Sequence, residues 1–168
     1  EDEKQRYAAL LQLKGNKPYL FGDDIYANPS EGEHYQVPGE VLSDPSFAAL
    51  ITEAEKYLGY PYVWGGSSPS TSFDCSGFVC YVYTHSGVHN LPRTTATGIY
   101  NQCAIVSRSE AKPGDLIFFT KTYNSDGPVS HVGIYVGDGM MIHCGSPIQY
   151  ANINSSYWQE HFYAFGRL

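Results

Sequence analysis

What most constrains this chain is the point at which its hydrophobic period changes. In the first half of the chain, at about residues 46–58 and 75–85, apolar residues recur at helical spacing. After "AKPGD" (111–115) come four short runs: "DLIFFT" (115–120), "HVGIYVG" (131–137), "MMIHCG" (140–145) and "FYAFGRL" (162–168). Each is apolar or alternating, rich in Ile, Val, Phe and Tyr, and bounded by turn residues, which is the pattern of strands. Helices first and consecutive strands afterwards predict an α+β fold, with the helices packed on one face of a central antiparallel sheet. The 168 residues suffice for one domain with a proper core.

The first well-signalled helix starts at "SDPSFAALITEAEKYLGY". Asp44 or Ser43 can cap it and Pro45 suits its first turn. Phe47, Leu50, Ile51, Ala54, Tyr57 and Leu58 form a one-sided stripe, and Gly59 can close the helix in a left-handed conformation. Ahead of it, residues 2–13 could form a short helix. Residues 14–43 are broken by Gly and Pro throughout and read as an extension that wraps the surface or belongs to a neighbouring module. The expected division is therefore an N-terminal extension, 1–45, and a domain at 46–168. A short helix is expected near Thr95–Gln102.

A second helix is expected from Cys75 to His85 in "FDCSGFVCYVYTHSG" (73–87), closed by Ser86 and Gly87. It places a thiol at a helix N-terminus, where unpaired N–H groups favour the thiolate. Asp74 and Ser76 would give that thiol a wet, open setting, whereas Cys80 reads as an ordinary core cysteine. The four cysteines, Cys75, Cys80, Cys103 and Cys144, form no C-x-x-C pair, and a Cys80–Cys103 bridge stays open.

A cysteine nucleophile needs an imidazole to take its proton and return it to the leaving amine. His131 and His143 flank the hairpin "HVGIYVGDGMMIHC", with Gly137-Asp138-Gly139 as its turn. A two-residue loop would send the two rings to opposite faces. A three-residue loop, facing Val136 with Met140, sets His143 across from Gly133 with His131 diagonal to it on the same face. A bulge with Gly139 in a left-handed conformation favours the latter. His131 would be the base and His143 the group that orients it. His34, His85, His89 and His161 lie in polar loops or at element ends, without organised neighbours. In "YPYVWGG", the glycines allow a tight turn against the helix start, Tyr62 could stabilise an oxyanion beside Cys75, and Trp64 reads as a wall of the cleft.

Taken in order, "PYVWGG", "FDCSGFVCYVY", "LPRTT", "KPGDLIFF" and "SHVGIYVGDGMMIH" resemble the NlpC-type family of cell-wall endopeptidases over about residues 46–168. The resemblance implies a papain-like cysteine peptidase fold and hydrolysis of bacterial peptidoglycan stem peptides, typically at the γ-D-glutamyl–diaminopimelate (or lysine) bond. It implies Cys75 as nucleophile, His131 as base, His143 as third polar member and Tyr62 beside the nucleophile. Asp74, Ser76, Trp64 and Ser130 would line the substrate cleft, with Asp74 binding a stem-peptide amine or simply capping the helix. Arg93, Thr94 and Thr95 match a cleft-lining segment or form an ordinary loop.

This chemistry requires no metal or cofactor. A zinc site built from Cys75, His131, His143 and Cys144 is the alternative by ligand type, though neighbouring His143 and Cys144 on a strand point to opposite faces. Acyl transfer through the same thiol ester, with an amine replacing water, is another. A net charge of −7 without a basic stripe disfavours nucleic acid. No run approaches a membrane span, and the opening "EDEKQRYAALLQLKG" has neither Met nor an apolar leader core. A monomer, extracellular or associated with the cell wall as part of a larger or processed chain, is the expectation.

Overall fold

A computed structural model describes residues 35–168; the helix expected at 2–13 and most of the irregular stretch after it lie outside the described residues. The first helix, α1, spans Pro45–Glu55. Asp44 is its N-cap, its carboxylate accepting from the N–H groups of Ser46 (3.0 Å) and Phe47 (3.5 Å). The helix ends at Glu55, short of Leu58, and Gly59 (φ 89°) closes the following turn with its N–H on the carbonyl of Ile148. A two-stranded ribbon, β1 (Ser67–Ser68) with β2 (Ser72–Phe73), leads into α2, Cys75–His85. A short α3, Ala96–Tyr100, follows, capped by the Thr95 hydroxyl.

The strands are β3 (Ala104–Val106), β4 (Leu116–Phe119), β5 (His131–Gly137), β6 (Met140–Cys144), β7 (Ile148–Asn152) and β8 (Phe162–Arg167). They form one antiparallel sheet in the order β3-β8-β4-β5-β6-β7. The expected strands fall where the sequence places them. Additions to the expectation are the edge strands β3 and β7 and a last helix, α4, Ser156–His161.

The sheet separates two cores. Val132, Ile134, Val136, Ile142 and Cys144 point to the side of α1 and α2, where Phe47, Leu50, Phe73, Phe78 and Val82 complete the larger core. Bulky, β-branched α2 is weak in helix propensity, and this burial is what holds it. On the opposite face Ile117, Phe119, Met141, Ile153 and Phe165 pack around Trp158 of α4. Polar ties fix the layers: Tyr150 Oη donates to Glu55 (2.6 Å), joining β7 to α1, and Arg167 grips the buried Asp115 through Nε (2.7 Å) and Nη2 (2.8 Å), joining β8 to the start of β4. Among the described residues no helix is long and apolar enough to cross a membrane.

Candidate active site

The start of α2 is built by close backbone approach. Val63 N–H reaches the Phe73 carbonyl and Asp74 N–H reaches the Gly66 carbonyl (3.0 Å). A Cβ on Gly77 would lie 2.0 Å from the Gly66 oxygen, and one on Gly66 would lie 2.5 Å from the Ser72 oxygen. Only glycine fits at either point, as the glycine-rich loop leads one to expect. Asp74 is the N-cap. Its Oδ1 accepts from Gly77 N–H (2.8 Å) and Ser76 Oγ (3.3 Å); its Oδ2 accepts from Gly65 N–H (3.0 Å) and Arg93 Nη2 (2.8 Å). Arg93 also donates to Ser76 Oγ (2.8 Å) and the Thr94 carbonyl (3.2 Å). The Asp74 carboxylate is thus occupied by four donors and neutralised by a guanidinium. It organises the cleft wall rather than standing free to take a substrate amine.

Cys75 lies at the base of a cleft of about 890 Å³, lined by Tyr62, Trp64, Asp74, Ser76, Arg93 and Thr95, by Ala96 and Thr97 of α3, and by residues 123–127 and Val129 of the β4–β5 loop. Trp64 is 42% exposed and meets Tyr123 edge-to-face across the opening (centroids 5.3 Å apart). Two expected cleft residues are elsewhere. Ser130 is fully buried, its hydroxyl spent on Thr122 N–H (2.9 Å) and Oγ1 (2.5 Å), because the strand alternation turns it inward. Thr94 leans onto α3, its Oγ1 2.0 Å from where a Cβ of Gly98 would sit, and does not line the cleft.

The sulfur approaches β5 at its first residues, where β5 and β6 have not yet paired; the register begins at Gly133↔His143. Cys75 Sγ is 3.9 Å from the Ser130 carbonyl oxygen, and the Val132 N–H also points to it. His131 lies between these two residues. Its Nε2 is 2.9 Å from Nδ1 of His143, with the rings near perpendicular (86°). His143 faces Gly133, as a same-face arrangement requires, and the missing side chain is what admits the ring: a Cβ there would come within 3.1 Å of His143 Cβ. The hairpin end differs in detail. Gly137 pairs with Met140 and Val136 is the bulged residue, so Val136 does not face Met140, while Gly137, Asp138 and Gly139 all have positive φ.

The expected ease of ionisation at Cys75 does not hold in this resting arrangement. Burial pushes the thiol up to about 12 and the Asp74 charge adds to it, against relief from the N–H groups of Val132 and Ser76 and from Arg93. Four per cent exposure removes more solvation than the helix terminus returns. Burial likewise holds His143 down at about 3, and burial together with His143 keeps His131 well below the usual imidazole range. Tyr62 is buried, its hydroxyl kept protonated by desolvation first and by Cys75 and Asp74 next. The four groups rest as neutral thiol, neutral imidazoles and neutral phenol.

Among the described residues no three His, Cys, Asp or Glu side chains are grouped to hold a metal ion. Cys144 lies on the far face from His143 and donates to the Phe73 carbonyl (3.1 Å), so the zinc alternative lacks its ligand set. All four cysteines are free, which closes the question of a Cys80–Cys103 bridge. Sequence reasoning missed Trp158, which covers both imidazoles, and the Tyr123–Gly127 wall. Neither carries a signal beyond a lone aromatic or a polar loop.

The family model described as NlpC/P60 matches residues 59–167. The bifunctional muramidase/DL-endopeptidase CwlT of Bacillus subtilis is 40% identical over 151 residues, covering 89% of this chain and 42% of that protein. The probable endopeptidase p60 of Listeria welshimeri is 48% identical over 120 residues, 71% of this chain and 22% of that protein. This chain therefore spans well under half the length of these relatives. Among solved structures, an NLP/P60-family protein similar to lipoprotein from Staphylococcus aureus superposes with a TM-score of 0.71 at 41% identity, over 84% of this chain and 44% of that one. The papain-like α+β architecture of the described residues is shared with that neighbour, and the chain belongs to the NlpC/P60 family.

Proposed function

We propose that this chain carries a peptidoglycan hydrolase domain, within about residues 46–168, acting as a cysteine DL-endopeptidase on stem peptides. The γ-D-glutamyl bond to the third residue, diaminopimelate or lysine, is the favoured target. The observation that carries this reading is the thiol at the start of α2, at the base of an open cleft and beside the strand that bears the paired imidazoles (Nε2 to Nδ1 2.9 Å). The DL-endopeptidase and endopeptidase names of the relatives support it, and a peptidoglycan substrate favours an extracellular or wall-associated location.

The chemistry follows from the free nitrogens. His131 Nε2 is engaged with His143, which leaves Nδ1 for the thiol. For Nδ1 to accept a proton, Nε2 must carry the hydrogen and donate it to His143 Nδ1, so the pair fixes the productive tautomer of the base. With substrate in place, the Cys75 proton passes to His131 Nδ1 as sulfur bonds to the carbonyl carbon. The oxyanion is met by the Cys75 N–H, which helix geometry leaves without an intrahelical acceptor, and by the Tyr62 hydroxyl. His131 then protonates the departing amine, giving the thiol ester. Water, deprotonated by the same nitrogen, attacks that ester and releases the acid and the thiol. A neutral resting pair suits this sequence, because the proton moves as the bond forms.

Digestion of purified peptidoglycan by wild type and Cys75→Ser, with mass analysis of the fragments, tests the proposal. Wild type should release peptides that begin with the freed amine of the third residue and leave stems ending in D-glutamate, and the variant should do neither. Equal release by both, or by neither, refutes it, and added amine appearing in the products would assign acyl transfer.

A further inference from the structure

The His131–His143 pair has a cover on the face of the sheet opposite α1 and α2. Trp158, 4% exposed on α4, lies nearly parallel to the His131 ring (centroids 5.4 Å apart, 23° between planes) and meets the His143 ring edge-on (5.2 Å, 83°). Phe119 backs the indole at 4.5 Å, and Tyr157 packs on its outer side at 5.0 Å. The imidazoles are 1% and 2% exposed, although neither belongs to the larger core. One indole therefore contacts both rings.

We infer that Trp158 is a positioning residue for the imidazole pair: it covers both rings, fixes the hydrogen bond between them and keeps water from it. The inference rests on His131 acting as the base. A bond between two neutral imidazoles is weak beside competing water, since water can accept from the His131 Nε2–H and donate to His143 Nδ1. If Nδ1 of His143 accepted its hydrogen bond from water, His131 would be free to turn and to change tautomer. A flat, apolar surface against both rings blocks this at the cost of one buried side chain.

Other titratable groups around the pair do not set its protonation. β4 presents Phe119 and β7 presents Gln149, neither of which titrates. α2 presents Cys75. On α4 itself, Glu160 is exposed and His161 is spent on the Thr120 carbonyl (2.8 Å). Burial is the leading cause of the low basicity of both rings. Uncovering them moves their pKa upward, toward the ordinary value of about 6.5. The base must be neutral to work, so the acid limb of activity should move to higher pH.

The test is the histidine NMR titration of the resting enzyme, run beside the pH profile of kcat/KM on stem peptide, for wild type, Trp158→Phe, Trp158→Leu and Trp158→Ala. In wild type the His131 and His143 signals should not titrate between pH 5 and 8. In the Leu and Ala variants at least one should titrate in that range, and the acid limb should rise by about one pH unit or more. The Phe variant, keeping a flat ring, should stay near wild type. If the Ala variant does not fold, the Leu variant carries the comparison. Unmoved signals and an unmoved limb in the folded variants overturn the inference, as does a Phe variant as perturbed as the Leu one. The NMR arm needs no turnover, so failure of the peptidase reading would appear separately, as wild type without activity but with the expected titration.

Discussion

Alkylation of Cys75 by iodoacetamide reads the resting state of the proposed nucleophile directly. A thiol at about 12 is ionised at pH 7 to about one part in 10^5, against about one in 30 for an ordinary cysteine of pKa about 8.5. The ratio is about 3,000. A more basic thiolate is intrinsically more reactive, with a Brønsted slope of about 0.4–0.5, which recovers part of the deficit. The net expectation is alkylation about 100-fold slower than a small thiol of ordinary pKa at pH 7. Limited access, at 4% exposure, slows the absolute rate further but leaves the pH slope untouched, so the slope is the cleaner observable. The logarithm of the rate should rise by about one per pH unit from 6 to 10 without levelling, since each unit below the pKa changes the thiolate fraction about tenfold. Peptide mass mapping isolates Cys75 from Cys80, Cys103 and Cys144, with Cys75→Ser as the blank. Asp74→Asn removes a negative charge that raises the thiol and should speed alkylation at pH 7 without changing the slope. A plateau reached by pH 8 would mean a preformed thiolate–imidazolium pair, and the neutral resting state would be wrong.

Two further outcomes follow from the geometry of the same site. A folded-state pKa of about 3 for His143 lies below the unfolded value, so the unfolded chain binds more protons in acid. The stabilisation is complete above about pH 6.5 and is lost as pH falls toward 3, about 2–3 kcal/mol having gone by pH 4.5; urea midpoints from pH 7 to 4.5 should fall accordingly, and His143→Gln should lessen that dependence, the part due to the buried His131 remaining. Gly77→Ala drives a Cβ to 2.0 Å from the fixed Gly66 carbonyl and should cost about 1–3 kcal/mol or more. Gly98→Ala meets Thr94 Oγ1, also at 2.0 Å, yet a threonine side chain can turn away, so thermal melts should show a much smaller loss there; equal losses would refute this account of the α2 start.

Three of the four strands legible in the sequence are packed on both faces. β4, β5 and β6 are almost wholly buried and read as unbroken apolar runs. β3 is an edge strand whose Ile105 is 60% exposed, and β7 carries Gln149 and Asn152 among its five residues. β3 is only three residues long and mostly exposed, too short to display an alternation, and in β7 the polar Gln149 and Asn152 break the apolar run. α4 is six residues long and is held by a single buried indole. So short a helix has no repeating stripe, and its reason for existing is the tertiary contact of Trp158 with the face of β4–β6.

The site was legible where spacing alone constrains geometry. Same-face placement of His131 and His143 followed from hairpin register, because a bulge restores the parity that a plain two-residue turn would break. Ionisation was not legible, because a helix N-terminus can be seen in sequence but desolvation cannot. The dipole of α2 and the N–H groups around Sγ do favour the thiolate, yet they act against burial of a sulfur whose neighbour is a carboxylate. The role of Asp74 turns on the same point. Read alone it is an anion available to a substrate amine; with Arg93 set 19 residues later and folded back to 2.8 Å, its charge is spoken for. The inner wall of the cleft is a neutralised Asp–Arg pair, and the proposed nucleophile and base both rest uncharged, so the charge open to substrate lies at Asp126 in the β4–β5 loop. Trp64 and Tyr123 add apolar surface and a hydroxyl beside it, and Tyr123→Ala should raise KM more than it lowers kcat.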